Sequence, residues 1–167
     1  LIVMGTKGEH NVAEVVFGSV TTGVIANASC PVLAIPEGVS YKNIKSIAYA
    51  TDLKSESMES VSEAADIAQL FQAELHCVRV DTKGQDISKE MEAFNELTGQ
   101  LPNQNITLAE VGSDTIAHGL DQYVHENGIQ LLLMSRPQRN LLASIFHRSV
   151  TKQVALDTTL PLMIFRR

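Results

Sequence analysis

Apolar residues follow two alternating rhythms along most of this chain. Ile44 to Thr51 (IKSIAYAT) is a short apolar run and predicts a strand. Glu56 to Gln72 then places Met58, Val61, Ala65, Ala68 and Phe71 on one face at helical spacing. Glu74 to Val80 is a second strand, and Ile87 to Leu97 a second helix carrying Ile87, Met91, Phe94 and Leu97. Ile106 to Val111 is a third strand. Asp114 to Glu126, with Ile116, Leu120 and Val124 four apart, is a third helix; Asn127 and Gly128 stop it, and Ser113–Asp114 reads as its N-cap. The unbroken apolar run Ile129 to Met134 suits a central parallel strand covered on both faces. Ser149 to Asp157 predicts a last helix and Leu162 to Phe165 a fifth strand. Strands joined by helical crossovers predict an α/β fold, an open five-stranded parallel sheet with helices on both faces.

Residues 1–36 contain only the end of such a pattern: strand Leu1 to Met4, helix Ser19 to Asn27 and strand Val32 to Ile35. Shifted by 130 positions without a gap, this segment falls on the C-terminus. Leu1, Met4, Ala13, Ser19, Val20, Thr21, Val24 and Pro31 then meet identical residues at 131, 134, 143, 149, 150, 151, 154 and 161. The expectation is a tandem duplication: residues 1–36 are the closing part of a first copy, 37–43 a linker and 44–167 a complete second copy. The missing initiator Met and the strand entered midway suggest a first copy without its front.

Composition narrows the function classes. The 167 residues are 44% hydrophobic and 19% charged, with a net charge of −6. No apolar run approaches the roughly 20 residues of a membrane span. The Lys and Arg residues are scattered except between Arg136 and Arg148, so neither nucleic acid nor membrane is an expected partner. Cys30 and Cys77 stand far apart in apolar stretches and read as buried thiols of a cytoplasmic protein. His118 and His125 are two turns apart on one helix without a third ligand, so no metal site is predicted.

One pattern carries chemistry. Gly5, Gly8, Gly18 and Ser19 form G-x2-G-x9-G-S between a strand and a helix. Glycines let backbone approach a polyphosphate, and the N–H groups and dipole of the following helix, with the Ser19 hydroxyl, favour negative charge. The loop follows the carboxyl end of a strand, where open α/β sheets bind ligands.

With VMGTKG before it and GSVTTGVIANASCPVLAIP after it, the motif resembles the C-terminal third of the universal stress protein family. ATP-binding members of that family carry G-x2-G-x9-G-S/T between the fourth strand and fourth helix. The resemblance implies strand order 3-2-1-4-5, dimers joined through the fifth strands, and a first-strand Asp beside the adenosine. Asp52, in Thr51-Asp52-Leu53, stands at that place, and Val78 and Val80 stand where a base pocket would be lined. Each also has a plain structural reading: Asp52 as a turn residue, the valines as core.

The second copy departs from the phosphate pattern, with Ser135, Gln138 and Arg148 at the glycine positions and only Ser149 matching Ser19. Side chains there are expected to crowd the cradle, so the second copy is expected not to bind ATP. Arg136, Arg139 and Arg148 form either a solvated loop or a replacement anion site. The two loops are expected at the ends of different sheets. No catalytic set appears, so the resemblance implies a stress-response protein that binds adenine nucleotide or a partner. The alternative is a nucleotide hydrolase or adenylyl-transfer enzyme on the same fold. ATP with Mg²⁺ is the implied cofactor of a complete first copy, and this chain alone is expected to hold neither. The fifth strands, Val32 to Ile35 and Leu162 to Phe165, are expected to pair antiparallel, within one chain or in a homodimer.

Overall fold

The structure, a computed structural model, describes residues 1–6, 19–40, 43–101, 105–135 and 160–165. The predicted helix Ser149 to Asp157 lies outside them. In chain order the elements are β1 (Ile2–Gly5), α1 (Ser19–Asn27), β2 (Val32–Ile35), β3 (Ser46–Ala50), α2 (Ser55–Phe71), β4 (Glu74–Asp81), α3 (Ser88–Gly99), β5 (Ile106–Gly112), α4 (Ile116–Glu126), β6 (Leu131–Ser135) and β7 (Leu162–Phe165). Among the described residues no helix is long and apolar enough to cross a membrane.

All seven strands form one sheet, in the order β1-β2-β7-β6-β3-β4-β5. From β7 to β5 every pair is parallel. Numbered within residues 44–167, those five strands run 3-2-1-4-5. The strands of residues 1–36 extend the same sheet instead of founding another. β1 pairs parallel with β2, and β2 pairs antiparallel with β7.

Two registers coincide. β1 and β2 are matched Ile2↔Val32, Val3↔Leu33, Met4↔Ala34 and Gly5↔Ile35. β6 and β7 are matched Leu132↔Leu162, Leu133↔Met163, Met134↔Ile164 and Ser135↔Phe165, each number differing by 130. The entry bonds coincide too: Ile2 N donates to Pro31 O and Leu132 N to Pro161 O. The β2–β7 rungs Val32↔Ile164, Leu33↔Met163 and Ala34↔Leu162 centre on Leu33 and Met163, so a two-fold relates them.

Strand alternation sends side chains to opposite faces, and each face has its own core. On one, α1 and α4 contribute Ile25, Leu120 and Val124 against Ala48, Val78, Leu132, Met134, Leu162 and Ile164. On the other, α2 and α3 contribute Val61, Ala64, Ala65, Ala68 and Phe94 against Ile47, Tyr49, Leu75, Cys77, Leu131 and Leu133. The uninterrupted apolar run in β6 is explained by this double cover, all five residues being buried.

α4 is shorter at its start than the sequence predicts. The cap is Thr115, whose hydroxyl accepts from His118 N at 3.2 Å, and not Ser113–Asp114. A threonine in extended conformation immediately before the first helical residue satisfies that N–H directly. Within α4, Gly119 permits close approach to the sheet. A Cβ there would stand 2.6 Å from Val80 Cγ1 and 3.1 Å from Ser113 Cβ. Because a β-branched Val cannot swing away, Gly119→Ala is expected to cost about 1–3 kcal/mol in urea unfolding. Adding Val80→Ala should recover part of the loss; full stability of Gly119→Ala alone would contradict the packing.

Candidate functional site

The chain leaves β3 and β6 in opposite senses: β3 continues through α2 to β4 on its far side from β6, and β6 is followed in the sheet by β7 on its far side from β3. The crevice at the carboxyl ends of β3 and β6 is therefore the switch point at which open α/β sheets take ligands. Thr51, Asp52 and Leu53 lie at one wall and Ser135 at the other.

The turn after β3 is tightly specified. Thr51 N donates to Val78 O at 3.0 Å, Leu53 N donates to the Thr51 hydroxyl at 3.0 Å, and Lys54 N donates to the Asp52 carboxylate at 3.1 Å. Lys54 Nζ lies 4.0 Å from the other Asp52 oxygen. Leu53 has φ 57°, the left-handed region that a γ-branched side chain rarely enters. Its side chain is buried beneath α2, so core packing holds the strained backbone. Asp52 thus stands where the sequence placed it, with its carboxylate organising the turn.

Ser135 behaves differently from its expected role. It shares the side of β6 that carries Leu131 and Leu133 and is buried, with its Oγ 3.0 Å from Tyr49 Oη. The hydroxyl is therefore engaged under α2 and does not crowd the crevice. Tyr49 also stacks obliquely on Phe165, with ring centroids 5.9 Å apart. Burial pushes its phenol up to about 12, against the opposing hydrogen bonds of Ser135 and Ser60. Gln138, Arg148 and Ser149 lie outside the described residues, as do Arg136 and Arg139.

Val78 is fully buried on the α1/α4 face, and Val80 packs against the same cluster under Gly119. Both are core residues, and Val80 is only partly so. Next to them, sequence reasoning missed a buried charge group. Arg79, 6% exposed, pairs with Glu110, its cross-strand neighbour on β5, and lies 3.4 Å from Asp81. Asp81 accepts from Lys83 N and Gln85 N. Burial raises the Asp81 pKa, but those N–H groups and the Arg79 guanidinium outweigh it and hold the carboxyl below its ordinary value. The cluster fixes the loop between β4 and α3. An arginine alternating with valines in CVRVD was the available signal; its partner depended on register.

For the glycine motif, Gly5 ends β1 and Ser19 opens α1, while Gly8 and Gly18 lie outside the described residues. The Gly5 carbonyl accepts from Thr21 Oγ1 at 3.0 Å, which ties α1 to the strand end. Because β1 runs opposite to β6, Gly5 and Ser135 lie at opposite ends of a single sheet, not at the ends of different sheets. β1 is moreover the sheet edge, so no described strand forms the second wall that β3 gives β6. At this end the described residues comprise the strand end at Gly5 and the start of α1, with no described strand on the outer side of β1.

Both cysteines are free thiols. Cys77 is buried, and burial pushes its thiol up to about 12. Cys30 is only half-buried, contrary to the expectation of two buried thiols, because it lies in the turn between α1 and β2. No group of His, Cys, Asp and Glu able to hold a metal ion occurs among the described residues.

A universal stress protein from Archaeoglobus fulgidus has a similar structure, with a TM-score of 0.68 and 18% identity over 99% of this chain and 60% of its own. A functionally unknown protein of Pseudomonas aeruginosa PAO1 matches with a TM-score of 0.55 and 16% identity over 99% of this chain and 62% of its own. The chain thus spans about three fifths of the length of these two. A universal stress protein solved in complex with cAMP matches at 0.50 and 19% identity, with 70% of this chain covering 99% of it. No curated protein matches the chain. The sequence profile of the universal stress protein family matches residues 1–36 and 43–166, nearly the whole length, and the chain belongs to that family.

Proposed function

We propose that residues 44–167 are one universal stress unit, docked on the closing strand–helix–strand of a second unit in residues 1–36. The protein acts as a nucleotide-responsive or partner-docking stress protein, not as an enzyme, and its nucleotide response requires a complete first unit, which the described part of residues 1–36 does not by itself supply. Nucleotide chemistry belongs to the glycine loop after β1, and the unit built on 44–167 is the structural half. The observation that carries this reading is the coincidence of the β1–β2 and β6–β7 registers about a two-fold at Leu33 and Met163. It is supported by the fact that long relatives match the chain throughout, while the cAMP-bound protein is covered by only part of it. That protein's ligand makes adenosine phosphates the class to test.

Within the second unit, Asp52 is bound to its own turn and Ser135 to Tyr49. Within the first, no described strand faces the glycine loop from the outer side of β1. The chain is therefore expected to show no saturable heat with Mg-ATP or cAMP below millimolar concentration in calorimetry, and to leave ATP unchanged over hours. Micromolar binding that is lost in Asp52→Ala and indifferent to Gly8→Gln would assign the site to the second unit instead. Release of ADP or pyrophosphate, abolished by either substitution, would favour the hydrolase or adenylyl-transfer reading.

A further inference from the structure

At the amino ends of β3 and β4, away from the crevice, three side chains from different elements meet. Ser46 opens β3, His76 lies on β4 and Tyr123 comes from the last turn of α4. His76 Nε2 is 3.2 Å from Ser46 Oγ, and His76 Nδ1 is 2.9 Å from Tyr123 Oη. The His76 and Tyr123 rings meet edge to face, with centroids 5.9 Å apart. A hydroxyl within reach of an imidazole, itself held by a third group from its other nitrogen, is the arrangement that turns a serine into a nucleophile. The tautomer whose Nδ1–H donates to the Tyr123 oxygen leaves Nε2 to accept the Ser46 proton. The Glu74 carboxylate lies 3.9 Å from Nε2, accepts from Asn105 Nδ2 at 3.1 Å, and favours the imidazolium that results. None of Ser46, His76 and Tyr123 is fully buried, so a small acyl donor can reach the hydroxyl. Ser46 and Tyr123 stand 30 and 47 positions from His76, which is why no sequence motif announces the set.

The backbone supplies the other requirement. Lys45 N and Ser46 N both donate to one oxygen, Gln130 Oε1, at 2.7 and 3.3 Å. Successive N–H groups aimed at one point are the donors that hold the oxyanion of a tetrahedral acyl intermediate, and one of them is the serine's own. The Gln130 amide fills that point, tied down by its Nε2 donating to Asn43 O at 3.2 Å. We propose that Ser46 is an acylation site. His76 is its general base, Tyr123 positions the imidazole, and the Lys45–Ser46 N–H pair becomes the oxyanion cradle once the Gln130 side chain swings aside. The donor is a small activated carboxylic ester. Its acyl carbon bonds to Ser46 Oγ, its bond to the leaving oxygen breaks, and the Ser46 proton passes through His76 Nε2 to that oxygen. Acyl transfer to the chain's own serine is a modification and not turnover, so it stands beside the non-enzymatic reading above. No residue of the crevice or of the glycine loop takes part, and the proposal is independent of nucleotide binding.

The full chain is incubated with p-nitrophenyl acetate, quenched at intervals and mapped by peptide mass spectrometry. Ser46 is expected to be acetylated ahead of every other hydroxyl, and measurably more slowly in deuterium oxide because a proton moves in the step. His76→Gln should slow the labelling of Ser46 by about a hundredfold or more, the usual worth of a general base. Tyr123→Phe keeps the ring contact and removes only the acceptor for Nδ1, so it should slow labelling several-fold and alter the pH–rate profile. Gln130→Ala empties the cradle and should speed labelling. Acetylation of exposed lysines is the internal control for reagent in every sample. Labelling of Ser46 no faster than that of other serines overturns the proposal, as does an unchanged rate in folded His76→Gln. Should that variant not fold, the remaining readouts decide: equal rates in the two solvents, or no change on loss of the Tyr123 hydroxyl, overturn it as well.

Discussion

Raising the pH above about 9 is expected to lower the stability of the chain progressively, by several kcal/mol at pH 12. Burial moves the Cys77 thiol from 9.0 to about 12 and the Tyr49 phenol from 10.0 to about 12. Both groups are neutral in the folded protein. The unfolded chain loses those protons first, so stability is fully present below pH 9 and falls as the pH climbs toward 12. By linkage, the thiol accounts for roughly 4 kcal/mol of the loss and the phenol for roughly 3 kcal/mol. Against a typical stability of about 5–15 kcal/mol, that is a large fraction. Urea titrations followed by circular dichroism at stepped pH should show the decline beginning near pH 9. Cys77→Ala should remove the earliest part of the decline and leave the part that begins near pH 10, where the buried phenol of Tyr49 titrates in the unfolded chain. A stability that stays level to pH 11 would mean that neither group is shielded as the sheet requires.

The second large effect is expected at the junction of β2 and β7. Only three rungs join β2 to β7, and Ala34, opposite Leu162, is 0% exposed there. Ala34→Asp places a carboxylate among Val32, Leu162 and Ile164. No cation is close in the described core, and an unpaired buried charge costs more than about 3 kcal/mol. The segment β1–α1–β2 should undock while β3–β6 persists, because a strand–helix–strand of this size cannot bury both faces alone. Hydrogen exchange should then show unprotected amides in β1 and β2 and retained protection in β3, β4 and β6. Uniform loss across all strands would show instead that the sheet folds as one unit.

Which of these features the sequence discloses depends on whether the cause is local. Helical spacing at Val61, Ala65 and Ala68, and the apolar run of β6, are consequences of burial that any one segment records. So the elements and the order 3-2-1-4-5 are legible, the latter through the family resemblance. The boundaries are less so: α4 begins at Ile116 because Thr115 wins the capping bond from the neighbouring Ser113 and Asp114. Pairings between distant strands leave no such record. Arg79 reads as a charge in a strand until β5 sets Glu110 beside it. Ser135 reads as an obstruction in a phosphate loop until the parity of β6 turns its hydroxyl to Tyr49. The positive φ of Leu53 has no residue signature, because the strain is held by packing and not by a glycine.

The β2–β7 junction has one more consequence, for sameness and difference between the halves. In a symmetric homodimer, both outer rungs of such a junction would be the same residue pair, and every substitution would be made twice. Here Val32 meets Ile164 while Ala34 meets Leu162, so the two rungs differ. A change at position 34 or 162 therefore alters one outer rung and leaves the Val32–Ile164 rung as it was, so the two ends of the junction can be weakened separately.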